Sequence, residues 1–348
     1  MHLTIYPNDL ALIEEDGKIE IGSRNIPMRM APVPKMIDPS SFRVHSSSSV
    51  IRMSEFILRK PLSEDDDADP DLREILMVFD APEGEWPCRF SYITSGVSWS
   101  SSYSITIRGD EADVSLYASI VNGCGADLEE AQVHLVSRHD APGTFASYDI
   151  IRMVDLPHDV VKHIELFNVG GIPLDKRYVA PHDEDGVLVK RSIRNDEDSG
   201  LGYDIPPGDV RVYEETGPDG KINYIDSFRF PSIPAGSIME ILSMLTDEIE
   251  IVGEWDRYGT ASIVVSNRTG EDAVVEIEER CPFDELILSN SHNFIRRDDN
   301  TIAFMVGVKA SGSSVLTYTV DPSLIDREWG GDHDIDYEMV DGERFEEI

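Results

Sequence analysis

The sequence predicts an all-β protein of tandem β-sandwich-like modules with few short helices. Three observations carry this expectation. Apolar and polar residues alternate along many short segments, the period-2 pattern of strands with one buried face. Pro- and Gly-rich turns separate those segments. Few windows show the capped 3.6-residue periodicity of an amphipathic helix.

The elements follow in order. Residues 97–107 run through Trp99, Tyr103, Ile105 and Ile107, with Ser and Thr between them. Residues 114–120, 261–265, 274–278 and 315–320 alternate similarly. Turn signals fall at 181–183, 206–209, 217–220 and 234–236. Residues 156–167 admit a helical turn or two, yet Val160-Val161 and Ile164-Glu165-Leu166 also read as strand. Many short strands between such turns argue a sandwich. Trp99 and Tyr103, four apart, point to one face of their strand. They are read as core packing, with a ligand-binding aromatic face as the alternative.

The chain contains an internal echo. Asn122-Gly123-Cys124-Gly125-Ala126-Asp127 and Asn267-Arg268-Thr269-Gly270-Glu271-Asp272 both read Asn-x-x-Gly-x-Asp between alternating runs. Asn closes a strand through its side chain, and Gly supplies a positive φ. Two ordinary hairpin turns account for the echo, or else two related sandwich modules in tandem.

Composition suggests an amino-terminal β-rich unit at 1–60 and an acidic linker or loop at 61–72. A main sandwich-like region follows at 73–252. An Ig-like sandwich module spans 253–322 and an acidic tail 323–348.

The 348 residues hold 67 acids against 30 bases, a formal net charge of −37. Nucleic-acid backbones and anionic membranes are recognised by basic faces, so neither is an expected partner. At 41% hydrophobic residues the chain has enough apolar mass for a sizeable core. Arg outnumbers Lys by 22 to 8. A surface so acidic and poor in Lys suits a salty cytoplasm, where self-repulsion is screened. No basic, apolar and small-residue leader pattern opens the chain, and no run nears the roughly 18–20 apolar residues of a membrane helix. Cys88, Cys124 and Cys281 form no CxxC pair, so neither a disulfide framework nor a zinc site is signalled. The expected location is cytoplasmic, with reduced thiols. The sequon at Asn267 is read as chance.

The motifs with chemical precedent lack their context. Gly96-Val97-Ser98-Trp99-Ser100 falls one glycine short of a nucleophile elbow, and its sequel is a strand rather than a helix. Ser98 is therefore read as a surface hydroxyl. Gly123-x-Gly125 lacks the third glycine of a dinucleotide loop and opens no helix. In the tail, Asp332, Asp334, Asp336 and Glu343 match calcium-loop positions 1, 3, 5 and 12, but Tyr337 stands where the loop needs Gly. These four are the metal candidates, and a solvated acidic tail is the favoured reading. His158 and His163 have the wrong spacing for one helical face. His139 and His182 lie beside turns. No catalytic or cofactor-binding residue is assigned.

The stretch Tyr92-Ile93-Thr94-Ser95-Gly96-Val97-Ser98-Trp99-Ser100-Ser101-Ser102-Tyr103 resembles the hallmark of the mucoidy-inhibitor-A-like family. That pattern is a Gly-x-Ser-Trp-x-x-x-Tyr strand, a second strand ending in Asn, a Gly and acidic turn, and a third strand. Here the later elements match 116–121, 122–127 and 133–136. Further likeness lies in 205–213, the Ala235-Gly236 turn, Val265-Ser266-Asn267 and the opening Leu3-Thr4-Ile5-Tyr6 through 37–41. It covers about residues 3–320. Many relatives carry a long coiled-coil insertion that is replaced here by a short acidic stretch, making this a short form. Leu128 stands where the family tends to have Trp. The resemblance implies an all-β, multi-module protein. It implies no activity, cofactor or catalytic residue.

The expected function is that of a non-catalytic interaction or scaffold protein that uses its sandwich surfaces to meet a protein partner or a second copy. The alternative is a hydrolase-type enzyme in which acids such as Asp127, Asp183 and Asp272 converge with a histidine from separate loops.

Overall fold

The computed structural model describes residues 1–22, 27–46, 51–60, 72–138, 145–256, 258–281 and 286–321. Most of the acidic stretch at 61–72, the tail with Asp332, Asp334, Asp336 and Glu343, and His139 lie outside them. The protein is all-β: beyond one 3-10 turn, Pro39–Ser41, the regular elements of the described residues are strands. Among the described residues no helix is long and apolar enough to cross a membrane.

The chain divides into two compact units. The first contains residues 1–172 and 195–237. Its seven-stranded sheet runs in the order Phe145–Asp149, Leu128–Arg138, His2–Tyr6, Leu10–Ile21, Gly84–Ser95, Arg43–His45, and Val154–Leu156 also pairs with Leu128–Arg138. A five-stranded sheet runs Val160–Pro173, Glu111–Asn122, Val97–Arg108, Gly208–Thr216, Lys221–Phe230. Leu3, Ile5, Ile13, Val133 and Leu135 of the former share one buried core with Val97, Ala118, Ile120 and Ile164 of the latter. Each such aliphatic side chain contributes roughly 1.5–3 kcal/mol on full burial. A three-stranded sheet of Met28–Pro34, Leu72–Asp80 and Arg52–Arg59 adds Val33, Ile75, Met77 and Phe79 to that core.

The second unit contains residues 173–194 and the chain from 238 onward. Its six-stranded sheet runs Ile238–Thr246, Val187–Arg194, Asp175–Ala180, Ala273–Arg280, Thr301–Val308, Phe294–Arg296. Its four-stranded sheet runs Ile249–Trp255, Thr260–Asn267, Ser313–Val320, Ile287–Asn290. Tyr178, Val275, Ile277 and Phe304 from one sheet and Val265, Leu316 and Tyr318 from the other form its core. The Phe304 and Tyr318 rings stack at 4.8 Å.

The two units repeat one strand plan. Leu128–Arg138 runs parallel to His2–Tyr6, and Ala273–Arg280 runs parallel to Asp175–Ala180. Each first strand turns into an antiparallel neighbour, Leu10–Ile21 or Val187–Arg194. Those neighbours pair in turn with Gly84–Ser95 and Ile238–Thr246. The chain then enters the second sheet as a hairpin ending in Asn122 or Asn267. Leu128, six residues past Asn122, faces Leu156, and Ala273, six past Asn267, faces Val308. The echo in the sequence is thus part of a repeated sandwich plan. Each copy carries its long insertion at the same point, between its second and third strands, at 22–83 and 195–237.

These units differ from the segments suggested by composition. Residues 73–252 are shared between both units, and 1–60 supplies strands that pair with Gly84–Ser95 and Leu128–Arg138. Residues 253–322 lack the strands Asp175–Ala180, Val187–Arg194, Ile238–Thr246 and most of Ile249–Trp255 that complete their sandwich. Strand pairing over long sequence separations sets the boundaries here, and no shift in local composition marks them.

Candidate functional site

A cavity of about 820 Å³ lies in the second sandwich, within the roughly 300–1,000 Å³ typical of ligand sites. Ile249, Ile251, Trp255, Ile263 and Ile277 supply its apolar wall. Its polar lining comes from the turn after Asp175–Ala180 (His182, Asp183, Glu184, Asp185), from Asp247 and Glu250, and from Glu278 and Glu279 at the end of Ala273–Arg280. Those are seven acids. Arg268 is the one Arg or Lys in the lining, and its guanidinium is paired with Glu250.

The strand plan explains why this end is open. In the first sandwich Leu3 lies opposite Val133 and Ile5 opposite Leu135, and all four are buried. In the second, Ala180 lies opposite Ile277, at the stations of Leu3 and Val133. Two residues further along, the first sandwich has Ile5 and Leu135. The second has His182 and Glu279. The first strand there stops at Ala180, while its counterpart continues to Tyr6. Alternation along Val275, Ile277 and Glu279 sends the last side chain to the core-facing side. A carboxyl thus occupies a station that a leucine fills in the other copy.

Burial pushes the Glu279 carboxyl up to about 7, against a lesser lowering effect of the Tyr318 hydroxyl. The carboxyl is desolvated although part of the residue is still accessible. Trp255 meets the Tyr318 ring edge-on at 5.5 Å. The His182 Nδ1 atom is sealed from solvent and has no hydrogen-bond partner among the described residues. A cleft with an apolar wall, convergent carboxyls and a perturbed titrating group is the usual form of a binding site.

Of the residues singled out from sequence, Asp183 lines this cavity beside His182. Asp127 and Asp272 are elsewhere and are engaged in turns. Asp127 accepts the His158 N–H at 2.7 Å, and Asp272 accepts the Ala310 N–H at 3.0 Å and pairs with Lys309. Ser98 sits near the start of the Val97–Arg108 strand, opposite Val121. Trp99 packs against the first core and donates to the Val136 carbonyl at 3.0 Å. Tyr103 is buried with its hydroxyl bonded to the Pro206 carbonyl. His158 accepts the Gly125 N–H, and His163 bonds Ser119 on a sheet face. All three cysteines are buried and outside any disulfide, and burial raises the Cys88 and Cys124 thiols to about 11. Asn267, the sequon residue, is 2% exposed with its amide fully engaged.

The sequence pattern marks His182 only as a turn histidine and does not single out Glu279 or Trp255. A signal for Glu279 existed: an acid at the inward phase of Val275-x-Ile277-x-Glu279. The fold defines a duplicated all-β sandwich protein with an acid-lined cavity in its second copy. The chain matches no protein-family model and no curated protein.

Proposed function

We propose that this is a non-catalytic interaction protein that engages a basic partner through the acid-lined end of its second sandwich. The observation that carries this reading is the lining itself: seven acids around an apolar wall, with one Arg already paired. Complementary charge steers encounter and selects partners. Sandwich ends and loops are common binding surfaces. The resemblance to the mucoidy-inhibitor-A-like family agrees with a modular β-protein and brings no activity. A cytoplasmic location, expected from the cysteine pattern and the opening residues, and the exclusion of nucleic acid, which rests on the charge of −37, belong to the same reading.

The test is affinity purification from the native host at low salt, with partners identified by mass spectrometry. The expected result is a protein with a basic segment. It should be lost at 1 M KCl and lost when Asp183, Glu184 and Asp185 are changed to Asn, Gln and Asn. Recovery of the bait alone overturns the reading.

One observation favours a hydrolase-type alternative. Glu279 titrates near 7 and shares its cavity with His182, a combination suited to general acid–base work. Turnover of ester or glycoside substrates that disappears in Glu279→Gln is the result that would establish it.

A further inference from the structure

Resting on the reading above and sharpening it, we propose that the cavity of the second sandwich binds an organic cation on an alkyl stem. Glu279 is its charge partner and Trp255 part of its wall. The chemistry is that of an ammonium or guanidinium group, as carried by a lysine or arginine side chain or by a polyamine.

Three independent features converge on that ligand class. The first is the internal comparison. Ile5 and Leu135 close the end of the first sandwich, while His182 and Glu279 take their stations in the second and leave about 820 Å³. A carboxyl at a core-facing station is costly unless something compensates it. The Tyr318 hydroxyl offsets only part of that cost, and a bound cation would supply the missing charge.

The second feature is the sign of the lining. With Arg268 committed to Glu250, the seven carboxyls have no other Lys or Arg in the cavity wall. An anionic ligand meets repulsion there, and a neutral one leaves Glu279 uncompensated.

The third feature separates an organic cation from a metal ion. Among the described residues no group of three or more His, Cys, Asp or Glu is placed to hold a metal. The wall instead offers four isoleucines and an indole. Isoleucine takes up an alkyl stem, and an indole face attracts an organic cation by roughly 0.5–2 kcal/mol.

The experiment is isothermal titration calorimetry of the full chain at pH 8 and low salt. The probes are spermidine and a short peptide bearing one lysine or one arginine. Wild type is compared with Glu279→Gln, with Glu279→Leu, which installs the first sandwich's residue, and with Asp226→Asn, an exposed acid of the other unit. Thermal melts establish that each variant is folded. We expect binding that weakens at least tenfold in both Glu279 variants and is unchanged in Asp226→Asn. Spermidine binding alone assigns the free polyamine, and peptide binding assigns a side chain. No heat with any probe at millimolar concentration overturns the proposal, as does wild-type affinity in a folded Glu279→Gln. A native partner that still binds Glu279→Gln with wild-type affinity sinks this inference but leaves the interaction reading standing.

Discussion

Asn122 and Asn267 do the same job in two sandwiches, bond for bond. Each donates from Nδ2 to the carbonyl four residues on, Ala126 at 2.9 Å and Glu271 at 2.8 Å. Each accepts at Oδ1 the N–H two residues on, Cys124 at 3.2 Å and Thr269 at 2.8 Å. Each also donates across to the strand that faces the next element, to Leu156 in one copy and to Val308 and Lys309 in the other. Five residues after each Asn, Asp127 and Asp272 accept the N–H of the residue two beyond that station, His158 and Ala310. One residue further still, Asp159 and Ser311 both adopt positive φ, 56° and 52°.

Replacing either Asn by Ala should therefore cost similar amounts. Both amides are buried, at 1% and 2% exposure, and their loss removes a donor from the Ala126 and Leu156 carbonyls in one copy and the Glu271 and Val308 carbonyls in the other. The expected cost is about 2–4 kcal/mol each, read as a fall in urea midpoint with unchanged slope. Asp in place of Asn should cost more, because a carboxylate cannot donate to those carbonyls. A loss below about 0.5 kcal/mol at either site would show that the turns do not depend on the side chain.

Gly208 begins the strand that joins Val97–Arg108 in parallel. A Cβ there would lie 2.5 Å from the Ser101 carbonyl oxygen, which is backbone and cannot swing away. Gly208→Ala should destabilise by roughly 1–3 kcal/mol. Gly270→Ala, where a Cβ meets nothing within 4 Å, should stay within about 0.5 kcal/mol of wild type. Equal melting temperatures for the two variants would contradict this.

Glu74 has a side chain 1% exposed and pairs with both Arg29 and Arg59. Removing one arginine leaves the other, so each single Ala variant should lose about 1 kcal/mol or less. Removing both leaves a buried carboxylate alone, at a cost of about 3–5 kcal/mol. A double-mutant cycle by chemical denaturation measures the excess, and simple additivity would refute the shared role.

Glu279 sets a stability slope around neutral pH. Its folded-state pKa is raised to about 7, so the folded chain holds the proton more tightly than the unfolded chain does. The associated stability is complete below the ordinary glutamate range. It is lost as pH rises through about 7, and amounts to a few kcal/mol at most. Glu279→Gln should flatten the curve between about pH 5 and 8. At the acid end the slope reverses. Asp16, Asp272 and Asp298 are held low by Arg89, Lys309 and the Asn300 N–H respectively, and their stabilisation is lost as pH falls below about 4. A wild-type curve without decline from pH 5 to 8 would remove Glu279 from this role.

The net charge of −37 predicts a salt response. Screening relieves self-repulsion, so the melting temperature should rise as KCl goes from about 0.1 to 1 M, over which the Debye length shrinks from ~10 to ~3 Å. A flat or falling melting temperature would count against a salt-suited surface.

Much of the fold was legible because a strand's inward face is written locally. The alternation at 97–107 became the Val97–Arg108 strand with Tyr103, Ile105 and Ile107 buried. The Asn-x-x-Gly-x-Asp echo became two turns that match at Asn and Asp, while of its two glycines only Gly125 takes the expected positive φ, 89°. The candidate site was legible only in fragments. Asp183 stands in a turn signal, but nothing in its neighbourhood announces Glu279, which is 96 residues away in the chain.

By itself the sequence determined the strands, the turns between them and the acidic surface, because a period of two residues and a turn's φ requirements are local properties. Tertiary structure alone decided which strands lie side by side. It set the parallel pairing of His2–Tyr6 with Leu128–Arg138 and of Asp175–Ala180 with Ala273–Arg280. It also decided that 195–237 would belong to the first unit. Those choices join segments far apart in the chain, where only backbone hydrogen bonding and shared apolar burial select a partner. The same choices put Glu279 at an inward station, opposite a strand that stops short. An ordinary acid in the sequence there becomes a buried carboxyl beside an open cavity.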